Sequence, residues 1–298
     1  MRLHPPSFPP AQQPHLVQRI PALLVGRSSW MARQRVPETA LSSGHLQWFP
    51  NDHWKDEFII ASDLGIDYIE LIAETQHNQN NPIWTNDGIN RIKQLVNDNN
   101  LTLHALCNDY IVEHSLLDEE VIQQSIDLIE QGRKIGIEKY IMPLFESSEL
   151  TTDNMSDYVN PLRRIAIVAH ACNITVCLET ILTGEELIEL FQLIDLPYVK
   201  AVYDTGNRVA FGHNLAEDIR LLGGYIAHVH IKDKNSNNEN VLLGTGLVNF
   251  EKVFYALHDI NYEGPFTFET TRGSSPVATA KYNMQLVDFF KMNAELNV

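Results

Sequence analysis

Eight short apolar segments, separated by longer amphipathic ones, are the feature of this chain that most restricts its fold. The short segments are rich in β-branched and aromatic residues and predict strands, whereas the longer ones predict helices. A helix, a glycine, a short gap and an apolar strand recur in LGIDYIEL, IGIEKYIM and NYEGPFTF. The predicted strands are residues 20–27, 67–72, 101–107, 139–145, 174–179, 199–204, 226–232 and 264–269.

This alternation, with its short connections, predicts parallel strands joined by crossover helices. The clearer predicted helices are residues 54–64, 119–134, 161–171, 185–193, 215–222 and 250–259. Two of them are followed by a glycine that is expected to end the helix, at Gly65 and Gly136. Eight such units in 298 residues predict an α/β fold, a single-domain (β/α)8 TIM barrel.

A doubly wound open sheet is the alternative architecture for the same alternation. That fold normally has a glycine-rich turn after its first strand, and VGRSSW at residues 25–30 does not match GxGxxG. The proline- and glutamine-rich start predicts a flexible tail over residues 1–18, followed by the barrel domain over residues 19–298. The long first connection, residues 28–52, is predicted to be a functional lid.

The acidic composition limits the classes of partner. With 22 Lys and Arg against 38 Asp and Glu the formal charge is −16, which disfavours nucleic acid and an anionic membrane surface. The cysteines Cys107, Cys172 and Cys177 form no CxxC pair and are expected to be reduced and buried. No leader peptide and no apolar run of about 20 residues are evident, so we expect a cytoplasmic protein acting on a small molecule.

Polar residues end four successive predicted strands. They are Glu179, Asp204, His230 and Glu269, and each follows an apolar run. The carboxyl ends of barrel strands meet at one face, where neighbouring strands lie about 4.8 Å apart, so these side chains are expected to converge. One imidazole and three carboxylates suit one divalent metal ion, with Mn²⁺ or Mg²⁺ favoured and Zn²⁺ or Co²⁺ as alternatives. Taken singly, each acid could also be the N-cap of a helix, and the histidine could be a core residue whose ring nitrogens are hydrogen-bonded.

The order and spacing of several motifs resemble the xylose isomerase-like barrels, specifically the sugar phosphate isomerase/epimerase group. That group includes ketose 3-epimerases and hexulose-phosphate isomerases. The matching stretches are FPNDHWKDEFIIASDLGIDYIEL at 49–71, CLET at 177–180, VYDTGN at 202–207, HVHIKD at 228–233, GTGLVNF at 244–250 and FTFET at 266–270.

The resemblance implies roles for the four strand-end residues. Glu179, Asp204, His230 and Glu269 match the metal ligands of the group, and Glu179 and Glu269 also match its pair of proton-transferring residues. A metal bound to a ketose carbonyl and its neighbouring hydroxyl acidifies the C–H between them and stabilises an enediolate. One glutamate removes the proton and the other returns it from the opposite face. The resemblance therefore implies a sugar or sugar-phosphate isomerase/epimerase, and barrels of this kind often form homodimers.

Two positions depart from the ketose 3-epimerases that act on free sugars. Asn207 stands where these enzymes often have a histidine, and Ser236 where they often have an arginine. A phosphorylated ketose is the alternative substrate, because Lys232, Lys234 and the segments at 244–246 and 272–275 follow the last two strands, where barrels often bind phosphate. The predicted substrate-binding residues are Glu185, Asn207, Lys232 and Arg272.

Weaker site candidates lie near the ends of the first three strands and in the seventh. Arg27, Glu70, His104 and Asp109 each suit a sugar hydroxyl or a loop cap, and His228 is expected to be a core residue or to support a metal ligand.

Three competing functions share the fold. An apurinic-site endonuclease-like nuclease needs more histidines and tolerates this charge poorly. An inosose dehydratase-like lyase would use the same metal set, and a barrel that only binds sugar would not need both glutamates.

Overall fold

The computed structural model describes residues 24–26, 54–73, 81–271 and 273–296. The predicted tail at 1–18, the predicted lid at 28–52, Arg27 and Arg272 lie outside these residues. Among the described residues, no helix combines the length and the apolar character that a membrane crossing requires.

Eight strands form a closed barrel in which each strand pairs with its neighbours in sequence, β1 to β8. The strands are β1 Leu24–Gly26, β2 Tyr68–Ala73, β3 Thr102–Asn108, β4 Lys139–Pro143, β5 Thr175–Glu179, β6 Val199–Asp204, β7 Ile226–Ile231 and β8 Phe266–Phe268. From β2 to β8 every pairing is parallel, as crossover helices require. The predicted TIM barrel is confirmed.

The direction of the first strand differs from the prediction. The three residues of β1 run antiparallel both to β2 and to β8, so the expectation of eight parallel strands is wrong for this one. A short strand of either direction satisfies the edge N–H and C=O groups of its two neighbours, so closure does not depend on the direction. An apolar pattern predicts which residues form a strand but not which way the strand runs.

Ten helices lie among the described residues. They are α1 Asp56–Asp63, α2 Asn86–Asp98, α3 Tyr110–Glu113, α4 Glu119–Ile135, α5 Met155–Ala171, α6 Gly184–Ile194, α7 Thr205–Ala210, α8 Leu215–Leu222, α9 Phe250–Asp259 and α10 Pro276–Leu296. Gly65 and Gly136 follow α1 and α4 with φ of 75° and 83°, a conformation that glycine adopts without a Cβ clash, so the predicted ends are confirmed.

Helix α5 begins six residues before the predicted start at Pro161, which lies inside the helix. The predicted range began at this proline, a residue that local preference places in the first turn of a helix. Met155 and Tyr158 are buried in the preceding turns, so their packing holds the helix beyond the local preference. Helices α2, α3, α7 and α10 were not among the predicted ones.

The barrel interior is filled in two different ways. An apolar set, Ile72, Ala105, Cys107, Ile141, Cys177 and Val202, forms its own cluster apart from the main core. Cys107 and Cys177 are buried as expected, whereas Cys172 is only half-buried. Strands β2, β5, β6 and β7 also carry buried polar side chains, which belong to the candidate site: Glu70, Glu179, Asp204, His228 and His230.

Candidate metal centre

Four strand-end residues meet at the carboxyl end of the barrel. Glu179 and Asp204 are the last residues of β5 and β6, His230 lies one residue before the end of β7, and Glu269 directly follows β8. Asp204 and His230 are direct partners in the β6–β7 pairing. All four side chains are buried. The structure thus brings together all four residues for which the sequence predicted a metal site.

The ligand atoms of these residues surround one point. His230 Nδ1 lies 3.2 Å from Glu269 Oε2, 3.6 Å from Glu179 Oε2 and 3.9 Å from Asp204 Oδ2. One ligand atom from each of the four lies within 4.8 Å of the others. Oxygen ligands about 2.0–2.6 Å from one cation are spaced in this way.

Burial of these carboxylates supports a cation as their partner. Glu179 Oε2 is fully buried and has no hydrogen-bond partner within the described part of the chain. A buried carboxylate oxygen without a partner carries a large desolvation cost, which a bound ion removes. The residues present therefore fit a divalent metal ion.

The electrostatic environment favours positive charge at this point. Burial raises the pKa of Glu179 to about 7; the charge of His230 opposes this rise, and Glu269 and Asp204 add to it. Burial would lower the pKa of His230, but the carboxylates of Glu70, Glu269 and Glu179 raise it well above its usual value. The negative charge of these carboxylates, which holds a proton on the imidazole of His230, also attracts a metal ion. Metal binding would release that proton.

Two of the predicted substrate-binding residues also lie at the centre. Lys232 is buried, and its Nζ lies 2.9 Å from both Asp204 Oδ2 and Glu269 Oε1. Asn207 bridges the two sides of the site: its Nδ2 donates to Glu179 Oε1 at 2.7 Å, and its Oδ1 accepts from Lys232 Nζ at 3.3 Å.

Local sequence explains why Asn207 reaches the site. Asp204 caps the short helix α7, because its Oδ1 accepts the N–H of Asn207 at 2.6 Å. At the intervening Gly206, a Cβ would lie 2.6 Å from Lys232 Cγ, so a glycine allows the lysine stem to pass. Arg208, which follows Asn207, is buried in an ion pair with Asp218 and donates to the carbonyl of Leu182 at 3.0 Å. These contacts connect α7 to the loop after β5.

Glu185, a third predicted substrate-binding residue, is not part of this cluster. Glu185 is exposed in the first turn of α6, which is capped by a reciprocal pair of hydrogen bonds between Thr183 and Glu186. Glu185 is thus an acidic residue at the N-terminus of a helix, a position that the helix dipole favours. Arg272 lies outside the described residues.

The turn at residues 244–246 does not provide the expected phosphate site. The buried carboxylate of Asp233 accepts the N–H groups of Gly244, Gly246 and Val248 at 2.9, 2.8 and 3.0 Å. The N–H of Thr245 donates to the carbonyl of Leu242. Because these donors are already used, this part of the phosphate hypothesis is wrong.

A second polar group lies directly behind His230. Glu70 Oε2 lies 2.7 Å from His228 Nε2, and Glu70 Oε1 lies 3.2 Å from His230 Nε2, with all three side chains fully buried. A separation of 2.7 Å is that of a hydrogen bond, so we interpret this group as a hydrogen-bonded triad that supports the metal centre. Burial would raise the pKa of Glu70, but the two histidines hold it well below its usual value.

The sequence did not reveal that Glu70 lies directly behind the site. It was considered as a contact for sugar hydroxyls, whereas the structure buries it against His228 and His230. The one available signal was a carboxylate in the middle of the apolar strand segment YIELIA, where a buried acid requires a partner. His228 is fully buried beside Glu70, and its support of a metal ligand stays a prediction.

Comparison with known proteins adds independent information. A family model described as a xylose isomerase-like TIM barrel matches residues 58–290. D-psicose 3-epimerase of Ruminiclostridium cellulolyticum is 25% identical over 234 residues, covering 70% of this chain and 75% of that protein. L-ribulose-5-phosphate 3-epimerase of Escherichia coli is 20% identical over 231 residues, covering 72% and 81%.

The solved structures give the same picture of the fold. D-psicose 3-epimerase with D-tagatose, from Clostridium cellulolyticum H10, superposes with a TM-score of 0.68 at 19% identity. The match covers 82% of this chain and 95% of that one. At this identity the likeness shows a shared barrel.

Proposed function

The chain belongs to the xylose isomerase-like TIM barrel family, and from this premise we propose that it is a divalent-metal-dependent sugar or sugar-phosphate isomerase/epimerase. The observation that carries the proposal is the convergence of Glu179, Asp204, His230 and Glu269 on one buried point. Two of the relatives are named ketose 3-epimerases, one for a free sugar and one for a sugar phosphate, which supports the same class of reaction.

The proposed mechanism assigns proton transfer to the two glutamates. Glu179 and Glu269 approach the centre from strands separated by β6 and β7, and each has one oxygen that faces His230. A substrate carbon between them would have one carboxylate on each face, so that one removes a proton and the other returns it. A bound divalent ion supplies Lewis acidity to the substrate oxygens. Asp204 and His230 complete the ligand set.

Substrate contacts complete the proposal. Asn207 and Lys232 present an amide and an ammonium group at the centre, where they suit substrate oxygens. Glu185 and Arg272 remain predicted substrate-binding residues. The cytoplasmic location, the homodimer and the single barrel domain over residues 19–298 also remain predictions.

We expect the purified protein, after metal removal and incubation with excess Mn²⁺, to hold about one ion per chain. His230→Ala should lose that ion because it removes the only nitrogen ligand of the proposed set. The control His258→Ala, at a half-buried position in the last turn of α9, should keep it. Elemental analysis after gel filtration measures the ratio, and competition with Mg²⁺, Zn²⁺ and Co²⁺ ranks the metals. About three ions per chain would support the nuclease, and no bound ion would refute the metal centre.

The type of reaction follows from where deuterium enters a ketose in D₂O. The free sugar D-psicose and L-ribulose 5-phosphate are the first substrates to compare. Deuterium at C3 identifies epimerisation, and deuterium at C1 identifies aldose–ketose isomerisation. Loss of water from the product would favour the dehydratase-like lyase, and binding without exchange would favour a barrel that only binds sugar.

A further inference from the structure

Lys232 is an unusual side chain to find within a cation site. Only 4% of it is exposed, and its ammonium group contacts carboxylates of two of the four proposed metal ligands, Asp204 and Glu269. A lysine at a barrel rim normally extends its ammonium group into water. This one points into the centre instead.

Contacts between the end of β7 and the start of α7 hold the lysine in that position. The N–H of Lys232 donates to Thr205 Oγ1 at 3.0 Å, and Thr205 Oγ1 donates to the carbonyl of Lys232 at 2.6 Å. Its stem packs over Gly206, where any larger residue would collide with it. The position of the ammonium group is therefore built into the contact between α7 and β7.

The charges at the centre give this lysine a function. When a metal is bound, the ionised carboxylates of Glu179, Asp204 and Glu269 carry three negative charges, and Lys232 neutralises one of them. Two negative charges remain, which one divalent ion balances when His230 is a neutral ligand. Without the lysine, Asp204 and Glu269 would lose one of the two cationic groups beside them, Lys232 and His230, and would repel one another more strongly before a metal arrived.

We propose that Lys232 is the resident counter-cation of this centre: it holds Asp204 and Glu269 in place in the metal-free protein and weakens their attraction for the metal. The inference rests on the proposed function in one respect, namely that these carboxylates bind an ion. The site is then preorganised before metal binding, at the cost of affinity. Lys232 is in this sense a positioning residue.

The sign of one measurement separates this function from a merely structural one. Lys232→Met keeps the length of the side chain but removes its charge, so Mn²⁺ should bind about tenfold or more tightly because a neighbouring positive charge is gone. In the absence of metal the same variant should melt at a lower temperature than the wild type. A purely structural lysine would, on removal, misplace the carboxylates and weaken metal binding.

The experiment compares full-length wild type, Lys232→Met and the exposed control Lys252→Met. Calorimetric titration of the metal-free proteins with Mn²⁺ gives the Kd, and thermal melts with EDTA and with excess Mn²⁺ give the stability. We expect a lower Kd and a larger metal-induced rise in Tm for Lys232→Met, with Lys252→Met unchanged. Weaker or equal metal binding by Lys232→Met would overturn the inference.

A second variant keeps the test decisive if Lys232→Met does not fold. Lys232→Gln retains a polar donor without the charge and should also bind Mn²⁺ more tightly than the wild type; weaker or equal binding would overturn the inference. Failure of the wild type itself to bind Mn²⁺ would refute the proposed function, whereas normal wild-type binding with a weakened variant would refute only the function of Lys232.

Discussion

Glutamine in place of either Glu179 or Glu269 is expected to abolish interconversion of the two substrate epimers, lowering kcat by roughly 10²–10⁴-fold. In the proposed mechanism, each variant loses the carboxylate that handles the proton on one face of the substrate. Glutamine keeps the shape of the side chain and an amide oxygen for the metal, so the fold and part of the metal affinity should survive. The surface change Glu189→Gln removes the same charge and should have no effect.

Proton exchange with solvent makes this prediction more specific. In D₂O, each variant should still exchange the substrate proton that faces the remaining glutamate. Glu179→Gln and Glu269→Gln should therefore exchange opposite epimers, each without inverting it. NMR of both epimers with both variants, at equal metal content, measures this. Full epimerisation by either variant would refute the function assigned to that glutamate, and exchange of the same epimer by both would refute the two-face arrangement.

The second large effect is expected at Glu70, which contacts no substrate in the proposed mechanism. Replacing it with leucine leaves His228 and His230 buried without their shared carboxylate. His230 then loses the acceptor that keeps the proton on Nε2 and leaves Nδ1 available to the metal. We expect Mn²⁺ affinity to fall roughly 10–100-fold. The free energy of unfolding should fall by about 3–5 kcal/mol, as expected when a buried charged partner is removed.

Glu70→Gln is the matched variant for this prediction. Its amide oxygen can still accept from His230 while its amide nitrogen donates to His228, so it should retain more metal affinity than Glu70→Leu. Calorimetric Mn²⁺ titrations and denaturant unfolding of the metal-free proteins measure the two effects separately. An unchanged Kd in Glu70→Leu would show that His230 does not depend on this carboxylate.

Much of the fold was predictable because its signals are local. Apolar strand segments alternate with amphipathic helices, and glycines such as Gly65 and Gly136 end helices where a positive φ is needed. The exceptions have tertiary causes. Pro161 lies inside a helix because packing of the preceding turns outweighs a local preference. Strand β1 can run antiparallel because its neighbours accept either direction.

The convergence of the four candidate ligands was also predictable, because position at a strand end and residue type can both be read from the sequence. A residue that ends a parallel strand lies at the same barrel face as its counterparts, so Glu179, Asp204 and His230 could be grouped before any contact was known. The family resemblance of the flanking motifs pointed to the same residues.

Only the tertiary structure decided which partners these groups have. Glu70 and His230 are 160 positions apart in the chain, and no local pattern connects them. Whether Lys232 points into the centre, and whether the N–H groups around Gly246 are already taken by Asp233, depends on contacts between different loops and strands. Sequence periodicity determines which face a side chain occupies, whereas the closure of the barrel determines what that side chain meets.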